Sequence, residues 1–248
     1  MIHPQAVVDK SAQIDETAEV GAFAVVGRNT VIGPDTKIFP HSVIECAHIG
    51  AGCKIFPGAS VGLAPQDLKY RDEDTRVVIG DKTVVRECVT LNRGTSASGS
   101  TNIGSGCLFM AYSHVAHDCR IGNEVILANS VAVAGHVEIG DNTVIGGLAG
   151  IHQYVRIGRM AMIGAGSMVP LDVPPFTLGS GDRMKLVGLN VLGLKRKRIN
   201  LEVILAIKKA YRSIFLSKSS IEISIKKAVK NDADNTPEVR EFLDFMQR

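Results

Sequence analysis

Tryptophan is absent from the sequence, and eight phenylalanines and four tyrosines supply all of its 5% aromatic content. A core built on stacked rings is excluded, yet 45% of the chain is hydrophobic and 25 residues are glycine. Ile, Val and Ala must therefore fill the interior. Charge of one sign is also missing. A formal net charge of +3 is too mild to argue for nucleic acid as a partner. The five cysteines are odd in number and show no CxxC or other zinc spacing. No apolar run approaches the roughly 18 residues of a membrane span, and the opening MIHPQAVVDK has no signal-peptide pattern. A reduced, cytoplasmic protein is the expectation.

What the chain does have is a rhythm. Counting in sixes from Ile2 gives Val8, Ile14, Val20, Val26, Ile32, Ile38 and Ile44. A second series runs Ile103, Phe109, Val115, Ile121, Leu127, Val133, Ile139, Ile145, Ile151, Ile157, Ile163 and Val169 without a polar member. Glycine often follows the aliphatic residue, as at Gly21, Gly33, Gly122 and Gly140, and a small residue comes four places after it, as at Thr36, Cys107, Cys119 and Thr143. Cys53 shares that position, which makes these cysteines packing residues. Period six fits neither a helix nor a simple amphipathic strand, but it fits short strands joined by regular turns. With the first and fifth positions inward and glycine easing a corner at the second, three strands and three corners close a triangular coil of 18 residues. Such coils stack by β-pairing, each burying its aliphatic side against the next.

The rhythm predicts an all-β solenoid over residues 1–175. It slips by one residue near VIECAHIG and is broken by two polar excursions, at about 62–78 and 92–102, which should leave the prism as loops. From residue 176 to 248 the pattern turns helical. NLEVILAIKKAYRSIFL places Ile204, Ile207, Tyr211, Ile214 and Phe215 on one face. Ser219 and Glu222 read as a capping box, and Thr236 with Pro237 as a helix start.

The 18-residue coil gathers scattered histidines. Above His117 lie Gly135 and Gln153; His136 lies above Asp118; His152 lies above Ala134, and Ala132 above His114. Four of the seven histidines thus converge on neighbouring rungs of one edge, within roughly 10 Å. Imidazoles titrating near neutrality suit proton transfer. His3, His41 and His48 fall outside the group and read as ordinary hydrogen-bonded residues. Strand alternation would turn His117 and Asp118 to opposite faces, so a direct contact between them is not expected from spacing.

At this point the motifs become specific. IHPQAVVD, PQDLKY, RECVTLNRGT, HVAHDCRIGN, LAGIHQYVRIG, DVPPF and GLNVLGLKRK, spread over nearly the whole chain, resemble the acyl-carrier-protein-dependent UDP-N-acetylglucosamine O-acyltransferases of lipid A synthesis. The resemblance implies a left-handed parallel β-helix of hexapeptide repeats with a C-terminal α-helical domain, and a homotrimer with active sites between prisms. It implies transfer of a 3-hydroxyacyl group to the sugar 3-position, with His117 as general base, Asp118 steering it and the Gly135 amide stabilising the oxyanion. His114, His136, His152 and Gln153 would position substrate. Gln66, Asp67 and Lys69 would bind the acceptor, Asn190 and Arg196 the nucleotide, and Ala165 would limit acyl length. No cofactor beyond the donor's phosphopantetheine is implied, and no metal. The acceptor is UDP-N-acetylglucosamine or its 3-amino analogue. Lys195–Arg198, with Arg156 and Arg159, offers a basic patch for the acidic carrier protein.

Two departures and two rivals accompany this reading. Leu192 stands where some members are acidic, and Ala165 where well-known members have glycine, which predicts a modestly shorter acyl chain. The family's N-acyltransferase relative carries an extra N-terminal domain, which a repeat starting at Ile2 argues against. A coenzyme A-dependent acetyltransferase on the same scaffold is one rival. The other is a zinc-dependent trimeric lyase of the carbonic anhydrase type, which has two zinc-binding histidines five residues apart; the candidates here are separated by 3, 19 and 16.

Overall fold

The computed structural model describes residues 1–217, 219–230 and 236–247. Among them, strands mostly two residues long form three sheets of nine, eight and ten strands. Pairing is parallel throughout except at the last strand, so the chain winds as a three-sided β-helix. The predicted register holds: His114 pairs with Ala132 and Ala132 with Gly150, each one coil apart. The one-residue slip appears as Ile32 pairing with Ile49. The two excursions appear as long coils, with Ser60 pairing with Thr90, and Thr90 with His114.

Hexads become coils because of their first and fifth positions. Val20, Val26, Ile32 and Ile38, and between them Ala24, Thr30 and Thr36, are buried in one continuous column. Cys53, Cys107 and Cys119 are buried there too. Burial pushes the last two thiols up, to about 11 and about 12, which keeps them neutral packing groups.

The corner itself differs from the expectation. Left-handed backbone falls at the fourth position of the hexad, on residues such as Asp118 (φ 60°), His136 (φ 61°) and Tyr154 (φ 65°), and not on the glycine at the second. That glycine serves close approach between coils: a Cβ on Gly104 would lie 2.6 Å from the Gly122 carbonyl carbon.

The helical pattern expected from residue 176 begins at Val191. Residues Thr177–Ser180 and Lys185–Leu189 first form an antiparallel hairpin on the ten-stranded sheet, its tip turning through Gly181 (φ 106°). Helices α1 (Val191–Arg196), α2 (Leu201–Phe215), α3 (Ile221–Lys230) and α4 (Pro237–Gln247) follow. Ile204, Ile207, Tyr211 and Ile214 of α2 pack with Phe242 of α4 and with Met160 and Phe176 of the last coils. Thr236 caps α4 through Val239 N–H, at 3.3 Å. Helix α3 is capped by Ser220, which accepts from Ile223 N–H, one residue later than the Ser219 box predicts, because the helix starts at Ile221.

Candidate active site

The histidine edge lies between the nine- and eight-stranded sheets. His117 and Asp118 sit in a turn, not a strand, and the left-handed backbone at Asp118 swings its carboxylate to the same side as the imidazole. Strand alternation does not apply there, and the contact that spacing did not predict forms: His117 Nδ1 lies 2.7 Å from Asp118 Oδ2. The second loop closes over this pair. Thr95 N–H donates to Asp118 Oδ1 at 3.0 Å, Thr95 Oγ1 to Oδ2 at 2.7 Å, and the Ser98 hydroxyl also donates to Oδ1. Burial alone would raise the Asp118 pKa, but the hydrogen bonds from Ser98, Thr95 and His117 outweigh it and hold the carboxyl at about 2. An ionised carboxylate only accepts, so His117 Nδ1 must carry its proton. Nε2 is left with the free lone pair. That is the tautomer a general base needs.

Neighbouring rungs complete the setting. A Cβ on Gly135 would meet His117 Cε1 at 2.7 Å and Nε2 at 2.8 Å, so this rung is bare where the imidazole stands. The Gly135 N–H donates to no acceptor among the described residues. His136 stacks on Tyr154 (4.6 Å, 5°), meets His117 edge-on at 5.1 Å, and brings Nε2 to 3.8 Å from Asp118. His114 lies one strand step earlier, with Nδ1 at 2.7 Å from Thr90 Oγ1; burial, and then the nearby His117, push its pKa down. His152 is exposed, its Nδ1 3.1 Å from the Gln153 carbonyl.

Two adjoining hollows meet at Gln153. A cleft of about 580 Å³ joins His117, His136 and Gln153 to Gln66, Asp67 and Lys69 of the first loop. A groove of about 790 Å³ runs from His114 and His152 over Ala132, Gly150, Met168 and Pro170. The first is polar in its side chains, the second largely apolar. Asn190, Arg196 and Ala165 line neither. Asn190 caps α1, accepting from Gly193 N–H at 3.0 Å and donating to the Met160 carbonyl at 2.9 Å. Arg196 is exposed in the last turn of that helix, beside exposed Leu192. Ala165 is exposed at a corner of its coil.

The basic patch is smaller than its sequence suggests. Arg156 donates to Asp172 at 2.8 Å and Arg159 to Glu241 at 2.8 Å, so both already have counter-ions. Lys197 pairs with Glu124. Lys195, Arg196 and Arg198 remain exposed. A larger groove, about 1010 Å³, runs along the eight-stranded sheet beside α4, lined by mixed charges that include Arg156 but none of the candidate catalytic or substrate-binding residues.

Several residues at the site were not among the candidates. Tyr154 stands 18 residues beyond His136, so the same vertical count would have found it. Thr95, Ser98 and Arg93 lie in or beside an insertion, where the count gives no position.

Known proteins share this scaffold. The family profile described as "Udp N-acetylglucosamine O-acyltransferase; Domain 2" matches residues 172–248, and the bacterial transferase hexapeptide profile matches residues 100–135. An acyl-[acyl-carrier-protein]–UDP-N-acetylglucosamine O-acyltransferase from Synechocystis is 44% identical over 200 residues, covering 81% of this chain and 72% of its own. The Paracoccus denitrificans enzyme of the same name is 49% identical over 193 residues, 77% of this chain and 72% of its own. The chain belongs to this acyltransferase family. The crystal structure of the UDP-N-acetylglucosamine acyltransferase from Bacteroides fragilis superposes with a TM-score of 0.97 at 38% identity, covering all of this chain and 97% of that one. The fold is thus the left-handed parallel β-helix of the UDP-N-acetylglucosamine O-acyltransferases, followed by their C-terminal helices.

The zinc alternative is not favoured. His117, Asp118 and His136 bring three ligand atoms within 4.8 Å of one another. Yet the roughly four acceptor positions of a carboxylate are already matched by Thr95 N–H, Thr95 Oγ1, Ser98 and His117. The set is a hydrogen-bonded network with little left on Asp118 to offer an ion.

Proposed function

We propose that the chain transfers a 3-hydroxyacyl group from the phosphopantetheine thioester of acyl carrier protein to the 3-position of UDP-N-acetylglucosamine, the first step of lipid A biosynthesis. The observation that carries this reading is the His117–Asp118 dyad facing a polar cleft that opens onto an apolar groove. His117 Nε2 takes the proton of the sugar 3-hydroxyl as that oxygen attacks the thioester carbonyl. Ionised Asp118 holds the ring and stabilises the imidazolium that forms. The Gly135 N–H stabilises the oxyanion, a donor worth about 3 kcal/mol in comparable sites. Collapse breaks the C–S bond, and His117 returns its proton to the departing thiolate. The acyl group arrives already activated, so these steps ask for no resident metal or cofactor.

Gln66, Asp67, Lys69, His136 and Gln153 would position the acceptor in the cleft. His114 and His152 would line the acyl path, and Asn190 and Arg196 would reach the nucleotide of a neighbouring subunit. A groove open along one side cannot enclose a lipid. The outward strand positions of the ten-stranded sheet, Leu108, Ile126, Val144 and Met162, form a half-buried apolar stripe suited to cover it from a second copy. Heterologous contacts of this kind close into a ring, here a homotrimer. None of the described helices is long and apolar enough to cross a membrane, and the reading places the enzyme in the cytoplasm.

The test is purified protein with a panel of 3-hydroxyacyl carrier proteins, offered UDP-N-acetylglucosamine or its 3-amino analogue. Acylated sugar nucleotide is expected with a carrier-protein donor. Equal turnover of short acyl-coenzyme A donors without carrier protein would favour the acetyltransferase instead.

Three further outcomes are expected. Gly135→Ala keeps an ordinary backbone conformation but drives a methyl into the His117 ring. The fold should survive, with thermal unfolding little changed and kcat lower by about 100-fold. Raising salt should increase the KM for carrier protein, because Lys195, Arg196 and Arg198 stay exposed; a flat response removes that docking role. Ala165 lies outside both hollows of the single chain, so its acyl-length role rests on the family resemblance and on a groove closed by a neighbouring subunit. On that reading Ala165→Gly should relax the donor preference toward longer chains, read from competing donors in one assay.

A further inference from the structure

The second loop leaves the prism after Asn92 and returns at Ser100, and within it Arg93, Thr95 and Ser98 face two different parts of the site. Arg93 is a guanidinium with 4% of its surface exposed. Its Nε donates to the Tyr70 hydroxyl at 2.8 Å and its Nη1 to the Gly62 carbonyl at 3.2 Å. Glu45 is the ion-pairing carboxylate, at 3.9 Å. Tyr70 in turn donates to the Glu73 carbonyl at 3.1 Å. Arg93 therefore grips the root and the middle of the first loop, one residue beyond Lys69. Two residues further on, Thr95 holds Asp118 through its amide and its hydroxyl, and Ser98 adds a third donor. The mechanism above uses none of Arg93, Tyr70 or Ser98.

We propose that Arg93–Ser98 is a positioning brace that sets the acceptor-binding loop through Tyr70 and the general base through Asp118. The proposal rests on the reading of His117 as base and of the first loop as acceptor-binding. A buried, always-charged fork with several directed donors is suited to fixing a loop whose own residues are mostly polar and exposed. Hydrogen bonds to an ionised carboxylate are the strong, short kind that fix a geometry. The first loop's Gln66, Asp67 and Lys69 are held at the mouth of the cleft by this arrangement, while His117 is held at its floor. Neither function needs the brace to touch substrate.

The two ends of the brace are separable by experiment. Removing Arg93 would take a buried donor from the Gly62 carbonyl and one of two cations from Glu45, which also pairs with Arg28, and would endanger the fold. The loop end is therefore tested with Tyr70→Phe, which deletes one hydroxyl. The KM for UDP-N-acetylglucosamine should rise about 3- to 10-fold with kcat within twofold of wild type. The base end is tested with Thr95→Val and Ser98→Ala combined. There kcat should fall about tenfold or more with acceptor KM within twofold. In that variant the downfield proton resonance of His117 Nδ1–H should also shift or broaden, while Tyr70→Phe leaves it in place. A merely structural role would lower the folded fraction in both variants without splitting KM from kcat or moving that resonance. Both variants changing the same parameter, or an unaltered His117 resonance in the Thr95/Ser98 variant, overturns the proposal. A wild-type protein that fails to acylate the sugar nucleotide overturns the functional reading instead, and the resonance still judges the base end.

Discussion

His117→Ala should lower kcat for acyl transfer by about 10³- to 10⁴-fold, with the KM for UDP-N-acetylglucosamine changed far less. General-base catalysis contributes on the order of 10²- to 10⁴-fold, and here the base is held in one tautomer by a buried carboxylate. The deletion should not unfold the chain. His117 lies in a corner turn, and the column of aliphatic residues that holds the coils together runs on beneath it through Val115 and Val133. Rapid-quench measurement of acylated product under single-turnover conditions separates this loss from any change in product release. A variant retaining more than a tenth of wild-type kcat would remove His117 from the reaction.

Asp118→Asn should lower kcat by about 10³-fold, and for a different reason. The amide keeps the shape of the side chain but turns one pure acceptor into a donor. Thr95 N–H and the Ser98 hydroxyl both aim hydrogen at Oδ1, so the amide oxygen is drawn there. The NH₂ takes the place of Oδ2, where it meets the imidazole and the Thr95 hydroxyl turns to accept. His117 Nδ1 then becomes the acceptor, and the proton moves to Nε2, where it blocks the base. In the serine-protease template the same exchange costs about 10⁴-fold through the wrong tautomer. The pH dependence has a defined sign. With its carboxyl at about 2, Asp118 is ionised throughout the working range, so loss of rate on the acid side belongs to an imidazole and not to Asp118. Asp118 itself stabilises the fold above its unfolded pKa of about 3.9, and that contribution fades only as pH falls toward 2. Steady-state kcat from pH 5 to 9 in both proteins checks the kinetic part. An acid limb shifted by the asparagine to the same extent as the loss of rate would argue against the tautomer explanation.

Much of the architecture was legible because its physics is periodic. Val20 to Ile38 and Ile103 to Val169 are buried for the reason they recur: each coil must hide one aliphatic row from water, and two-residue strands leave no other choice of face. The same period put Gly135 over His117 and His136 over Asp118. Legibility ended where the period did. Thr95, Ser98 and Arg93 sit in or beside an insertion with no register, so nothing in their spacing says that they close on Asp118 and Tyr70. Spacing alone did not carry the His117–Asp118 contact, which the family resemblance implied, because strand alternation does not hold at a corner where the backbone is left-handed. The hairpin at 177–189 was hidden by its position after DVPPF, since two short strands with glycines carry no alternation long enough to separate them from the helices that follow. Arg156 and Arg159 read as a free basic surface, because only the fold brings Asp172 and Glu241 beside them.

The central claim is that His117 Nε2 faces the sugar hydroxyl that is acylated. A crystal structure of the protein with UDP-N-acetylglucosamine bound tests it most directly. The sugar 3-oxygen should lie within hydrogen-bond reach of Nε2, about 2.6–3.2 Å, with the first loop against the acceptor. A sugar nucleotide seated in another hollow, or one presenting a different hydroxyl to His117, would contradict the account.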